Sequence, residues 1–70
     1  MSDTSARVRA LREAVRMAPE DAALRRLLGD ALLDDGQSAE AEAEFRAGLR
    51  ADPADTALKL GLVRAFHRQG

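Results

Sequence analysis

Apolar residues recur along this chain at spacings of three and four, the pattern of helices that each bury one stripe. Val8, Leu11 and Val15, with Ala14 and Ala18, form the first stripe, and Arg7, Arg9, Arg12, Glu13 and Arg16 fall outside it. Leu24, Leu27, Leu28, Ala31 and Leu32 form the second; Ala41, Phe45, Gly48 and Leu49 form the third, with Glu40, Glu44 and Arg46 among its solvated positions. In the fourth, Leu58, Leu62 and Phe66 stack at intervals of four, and Leu60, Val63 and Ala65 extend the apolar content. Pro19, Gly36 and Pro53 punctuate the chain between these segments, each of which is long enough for a helix and too long for a typical strand. The pattern predicts an all-α chain with helices at about 5–18, 21–35, 38–51 and 55–68, a single domain over 5–70 and a disordered stretch over 1–4. Asp21 and Ser38 are the expected N-caps of the second and third helices, and Gly36 is the expected left-handed stop.

Composition sharpens the picture mainly by exclusion. Ala and Leu supply most of the apolar residues, Ile is absent, and Phe45 and Phe66 are the only aromatics, a palette that favours helices over strands. The chain has no Cys and one His, which removes disulfides, thiolate chemistry and most metal sites. No cofactor is expected. The net charge of -1 lacks the positive excess that binding to nucleic acid exploits. No apolar run approaches the roughly 18 residues of a membrane span or the core of a signal peptide, so the expected setting is cytoplasmic, with neither nucleic acid nor membrane as partner.

Internal repetition organises the rest. At a shift of 34, Pro19 meets Pro53, Asp21 meets Asp55, Ala23 meets Ala57, Leu24 meets Leu58, Leu28 meets Leu62, Ala31 meets Ala65 and Gly36 meets Gly70. Just upstream, Arg12 and Arg16 meet Arg46 and Arg50. Caps, stops and core positions all agree. A period of 34 with two helices per unit resembles the tetratricopeptide repeat. In the complete unit over 22–55, Leu28-Gly29, Leu32 and Gly36 are similar to the family's first-helix leucine-glycine, mid-helix large residue and inter-helix glycine. Ala41, Phe45, Gly48 and Pro53 resemble its small, aromatic, small and proline series in the second helix. The first segment keeps Leu11, Ala14 and Pro19 but has Arg7 where a small residue belongs, and the last has Val63 where glycine usually permits close approach. Arg25 and Lys59 stand where the family often has Trp.

The resemblance implies an antiparallel helical solenoid of unusual register: a second-type helix, one full repeat, then a first-type helix. It also implies a protein-interaction module without catalysis, an adaptor, docking or scaffold segment whose first-type helices line a concave groove. The groove-facing positions carry over to Ala23, Arg26, Asp30, Leu33 and Asp34 on the second helix, and to Ala57, Leu60, Arg64, His67 and Arg68 on the fourth. A protein or peptide ligand is the expected partner. The simpler reading pairs Asp30 and Asp34 with Arg64 and Arg68 as surface salt bridges, each contributing about 0 to 1 kcal/mol. Arg26 with Asp30 does not reproduce the Lys and Asn pair with which one subtype of the family grips a C-terminal carboxylate, which disfavours a chaperone-tail clamp.

Two helices lack a repeat partner, so Val8, Leu11 and Val15 on the first and Leu58, Leu62, Val63 and Phe66 on the fourth are candidates for self-association. A homo-oligomer that pairs terminal helices between chains is the alternative reading. Another is the leading segment of a larger bacterial enzyme such as an AAA-type ATPase, although no phosphate loop is present in these residues. Other constellations favour bland roles. His67 with Asp34 supplies two groups where a metal needs a third. Asp34 and Asp35, about 100° apart on a helix, cannot face one centre. Asp35, Glu40, Glu42 and Glu44 surround a helix start, where negative charge suits the dipole, and the arginines of the first helix read as a solvated face.

Overall fold

The computed structural model describes residues 3–70, which form four helices: α1 (Asp3–Met17), α2 (Ala22–Asp34), α3 (Ser38–Ala51) and α4 (Thr56–Gln69). Of the stretch expected to be disordered, Met1 and Ser2 lie outside the described residues, whereas Asp3 and Thr4 belong to α1. Asp3 places its carboxylate in the first turn, where it complements the positive end of the helix dipole.

The two proline turns build equivalent helix starts. Asp21 and Asp55 each take an extended conformation, and their side chains accept hydrogen bonds from Leu24 N and Leu58 N at 3.1 and 3.0 Å. Each cap satisfies one of the first-turn amides that has no partner inside the helix. At the end of α2, Gly36 takes φ 77°, Gly36 N donates to Leu33 O at 3.1 Å, and Gln37 N donates to Leu32 O at 2.8 Å. Those paired bonds are the Schellman termination that glycine makes accessible. The expected Ser38 cap is not formed: Ser38 is the first helical residue, and Gln37 precedes it without a side-chain capping bond. The Gln37 side chain is engaged elsewhere, donating to Asp35 Oδ2 at 2.6 Å and accepting from Arg12 at 3.5 Å.

Helix α1 packs on α2, α2 on α3, α3 on α4, and α2 also reaches α4. Principal extents of 35 × 32 × 14 Å over the Cα atoms describe a slab two helices thick, since helix axes about 8–10 Å apart add a Cα radius of about 2.3 Å on each side. First-type helices α2 and α4 lie side by side in one layer, and α1 and α3 back them.

Phe45 sits at the centre, fully buried. A Cβ built on Gly29 of α2 would stand 2.5 Å from its Cε1, and one on Gly61 of α4 would fall closer still. The ring is therefore wedged where two flanking helices both lack a side chain. A second interlock joins Gly48 to Leu58, whose Cδ2 would lie 2.8 Å from a Cβ at Gly48. Leu28, Ala31, Leu32, Leu33, Ala41 and Ala65 complete the core together with Val8 and Val15. Leu27, expected in the buried stripe of α2, is instead 43% exposed. Its equivalent at a shift of 34 is Gly61, which packs on Phe45 of α3, whereas the residue of α1 at the Phe45 register is Leu11, and Leu11 and Leu27 line a common cavity.

Candidate functional site

The layer formed by α2 and α4 carries a cleft of about 320 Å³ lined by Asp30, Leu33, Asp34, Arg64 and Arg68. Its geometry follows from the repeat. Asp30 and Arg64 are equivalent at a shift of 34, as are Asp34 and Arg68, so side-by-side helices present the same register with opposite sign. One wall is acidic and the other basic.

These charges are not paired as the simpler reading expected. Asp34 Oδ2 binds Arg7 of α1 at 2.8 Å, away from the α4 wall. Arg68 donates to the backbone carbonyl of Leu33 at 2.8 Å. That bond gives the Leu33 carbonyl, which already accepts from Gly36 N, a second donor at the end of α2, where the negative dipole end favours a cation. Asp30 and Arg64 make no ion pair among the described residues. Both line the cleft.

Of the other groove candidates, Leu33 is buried, so its backbone carbonyl rather than an apolar side chain serves the cleft floor. Leu60 is 49% exposed, and Ala23, Ala57 and His67 are also exposed but lie outside the cleft lining. Arg26 is half-buried and likewise outside it. His67 and Asp34 therefore do not share a lining, and no group of three potential metal ligands forms among the described residues.

A second cavity of about 380 Å³ continues the acidic wall toward α1, lined by Arg7, Leu11, Leu27, Asp30 and Asp34. The two cavities share Asp30 and Asp34, so they adjoin along α2. Arg7 and Leu27 were absent from the groove residues read from the sequence. Periodicity places Leu27 in the buried stripe of α2, so the sequence carries no signal that marks it as a residue of this face.

On the other layer, a cavity of about 390 Å³ is lined by Arg12, Val15, Arg16, Pro19, Arg25, Leu28 and Glu44. Its cations are largely committed: Arg25 pairs with Glu44 at 2.9 Å and donates to Pro19 O at 3.2 Å, and Arg12 pairs with Glu40. Arg25, at the position where the family often has Trp, thus ties α2 to α3 with a charge pair rather than a ring.

The self-association residues divide sharply. Val8, Val15 and Leu58 are buried within the single chain and are removed from any exposed face. Each has an intramolecular neighbour: α1 lays its valines into the core, and Leu58 fills the space above Gly48. Leu11 and Leu62 are partly buried against the core. Val63 and Phe66 are exposed, at 61% and 46%.

Two-layered helix pairs repeating every 34 residues define a helical-repeat protein of the solenoid class. The tetratricopeptide repeat profile matches residues 8–56 and again 28–70. The chain belongs to the tetratricopeptide repeat family, whose repeats generally mediate protein–protein interaction. Comparisons with curated proteins and with solved structures found no match. No helix among the described residues is long and apolar enough to cross a membrane.

Proposed function

We propose that this chain is a non-catalytic docking module that holds an extended segment of another protein along its concave face. The observation that carries this reading is the pair of oppositely charged walls, with Asp30 on α2 and Arg64 on α4 lining one cleft and neither neutralised by an ion pair. A segment with an acidic side chain over α4 and a basic one over α2 satisfies both walls. The guanidinium of Arg64 offers a planar fork of donors to a carboxylate. Arg68, held by Leu33 O, fixes the far end of the cationic wall. Apolar side chains of the same segment have Leu27 and Leu60 as exposed surfaces on which to rest.

Selection of random dodecapeptides on the immobilised chain tests the reading. Selected peptides are expected to carry both charge signs, and Arg64→Glu with Arg68→Glu is expected to weaken them at least tenfold. Peptides that bind the double variant as well as the parent would place the interaction elsewhere.

A further inference from the structure

Helix α4 carries a second surface, and the chain itself contains the template for what covers it. Helix α3 lies over α2, and the residues of α2 beneath it have equivalents on α4 at a shift of 34: Leu28 becomes Leu62, Gly29 becomes Val63, Leu32 becomes Phe66 and Arg25 becomes Lys59. Leu28, Gly29 and Leu32 are buried, whereas Val63 and Phe66 stand exposed and Leu62 is only partly covered. Phe66 is sheltered on one side, where the Arg46 guanidinium of α3 lies 5.4 Å from the ring centroid. Its other side is open.

The charges select the occupant. Arg25 of α2 holds Glu44 of the overlying α3 at 2.9 Å, with both side chains mostly shielded from solvent. Lys59, its equivalent on α4, is exposed and has no ion pair among the described residues. Helix α4 has no acidic residue, and because Arg64 and Arg68 line the cleft toward α2, Lys59 is the cation at this register. Sterics add a second condition. The space into which Gly29 admits the Phe45 ring is occupied on α4 by the Val63 side chain, so an arriving helix needs a small residue at the register of Phe45. Bulk has moved from the covering helix to the covered one.

We propose that the Leu62, Val63 and Phe66 face of α4 docks an acidic amphipathic helix of a partner protein, with a glutamate at the register of Glu44 to meet Lys59 and a small residue next to it over Val63. A second copy of this chain fits less well. Its free α1 would place Ala10 at the Glu44 register, Leu11 at the Phe45 register and Arg7 at the register of Ala41, which is fully buried. Ala10 brings no carboxylate to Lys59, and Arg7 and Arg12 of α1 are already committed to Asp34 and Glu40 of their own chain.

The test tethers candidate helices to the full chain after Gly70 through a flexible Gly/Ser linker of about 12 residues, which raises the effective concentration into the millimolar range. The tether also offsets the cost of folding a lone short helix. One candidate copies residues 37–54 with Phe45→Ala; the comparison copies residues 3–18. With the acidic copy, the amide signals of Val63 and Phe66 are expected to shift and Tm to rise by about 5 °C or more. Lys59→Glu in the chain is expected to remove at least half of that rise relative to its own untethered control, and Glu44→Lys in the tethered copy to restore it. Unchanged α4 signals with an unchanged Tm would overturn the proposal. So would an equal rise with the copy of residues 3–18, or a concentration-dependent dimer of the untethered chain with Val63 and Phe66 at its interface, either of which makes the second copy the occupant.

Discussion

Gly61 of α4 and Phe45 of α3 occupy one another's space: a Cβ on the glycine would stand 2.8 Å from Cδ1 of the ring and nearer still to Cε1. On an isolated helix, Gly61→Ala would stabilise by about 1 kcal/mol through backbone entropy. Here the ring cannot retreat, because Gly29 closes on the same edge from α2. Overpacking of about 1–3 kcal/mol outweighs the propensity gain, and net destabilisation is expected in urea unfolding. Phe45→Leu combined with Gly61→Ala should recover part of the loss. Additive losses in the double variant would show that the two residues are not coupled.

Phe45→Ala tests the same wedge from the other side. Removing a fully buried ring costs about 3–5 kcal/mol, comparable with the entire stability of a domain this small. Helical circular dichroism at 25 °C is expected to collapse. A variant that keeps cooperative unfolding with a loss below about 1 kcal/mol would refute the central role of the ring.

The interlock of large and small was legible in the sequence at Leu28, Gly29, Ala41, Phe45 and Gly48 through their resemblance to the family's series of small and large residues. Gly61 was not legible, since its equivalent is Leu27 and the repeat suggested the same environment for both. The two helices meet different residues at this register: α4 meets Phe45 of α3, and the corresponding residue of α1 beside α2 is Leu11. A smaller residue on one helix leaves room for a larger one on the next. The charged face was legible as a set of residues but not as pairings. Sequence reasoning paired Asp34 with the arginines of α4, and the packing of α1 on α2 gives it Arg7 instead. Long arginine side chains choose among several acceptors, and spacing alone does not fix the choice.

Gly36 and the paired aspartates make separable contributions at the turns. Gly36→Ala forces an L side chain into φ 77°, costing roughly 1–2 kcal/mol, although space around the position is open. Asp21→Ala and Asp55→Ala each remove one capping bond, costing about 1 kcal/mol. The two caps serve different helices, so their double variant should be additive within about 0.5 kcal/mol in thermal or urea unfolding. A loss at Gly36 that Gly36→Asn fully reproduces would show that conformation is not the cause, because Asn tolerates the left-handed region better than Ala does.

Burial separates the ion pairs that hold the layers together from those that do not. Arg25 and Glu44 are only 22% and 16% exposed, whereas Arg16 and Glu13 are 76% and 61% exposed. Glu44→Ala strands a shielded guanidinium that keeps only the Pro19 carbonyl, and a loss of about 1.5–3 kcal/mol is expected for a charged hydrogen bond of this kind. Glu13→Ala removes a pair that water already screens and should change stability by less than about 0.5 kcal/mol. A double-mutant cycle on Arg25 and Glu44 isolates their coupling. Raising the salt concentration from low to about 1 M shortens the screening length to about 3 Å, which should leave most of that coupling in place because the pair is shielded. If salt abolishes it, the charges are as exposed in solution as Arg16 and Glu13, and the template for reading Lys59 as an unsatisfied cation is lost with it.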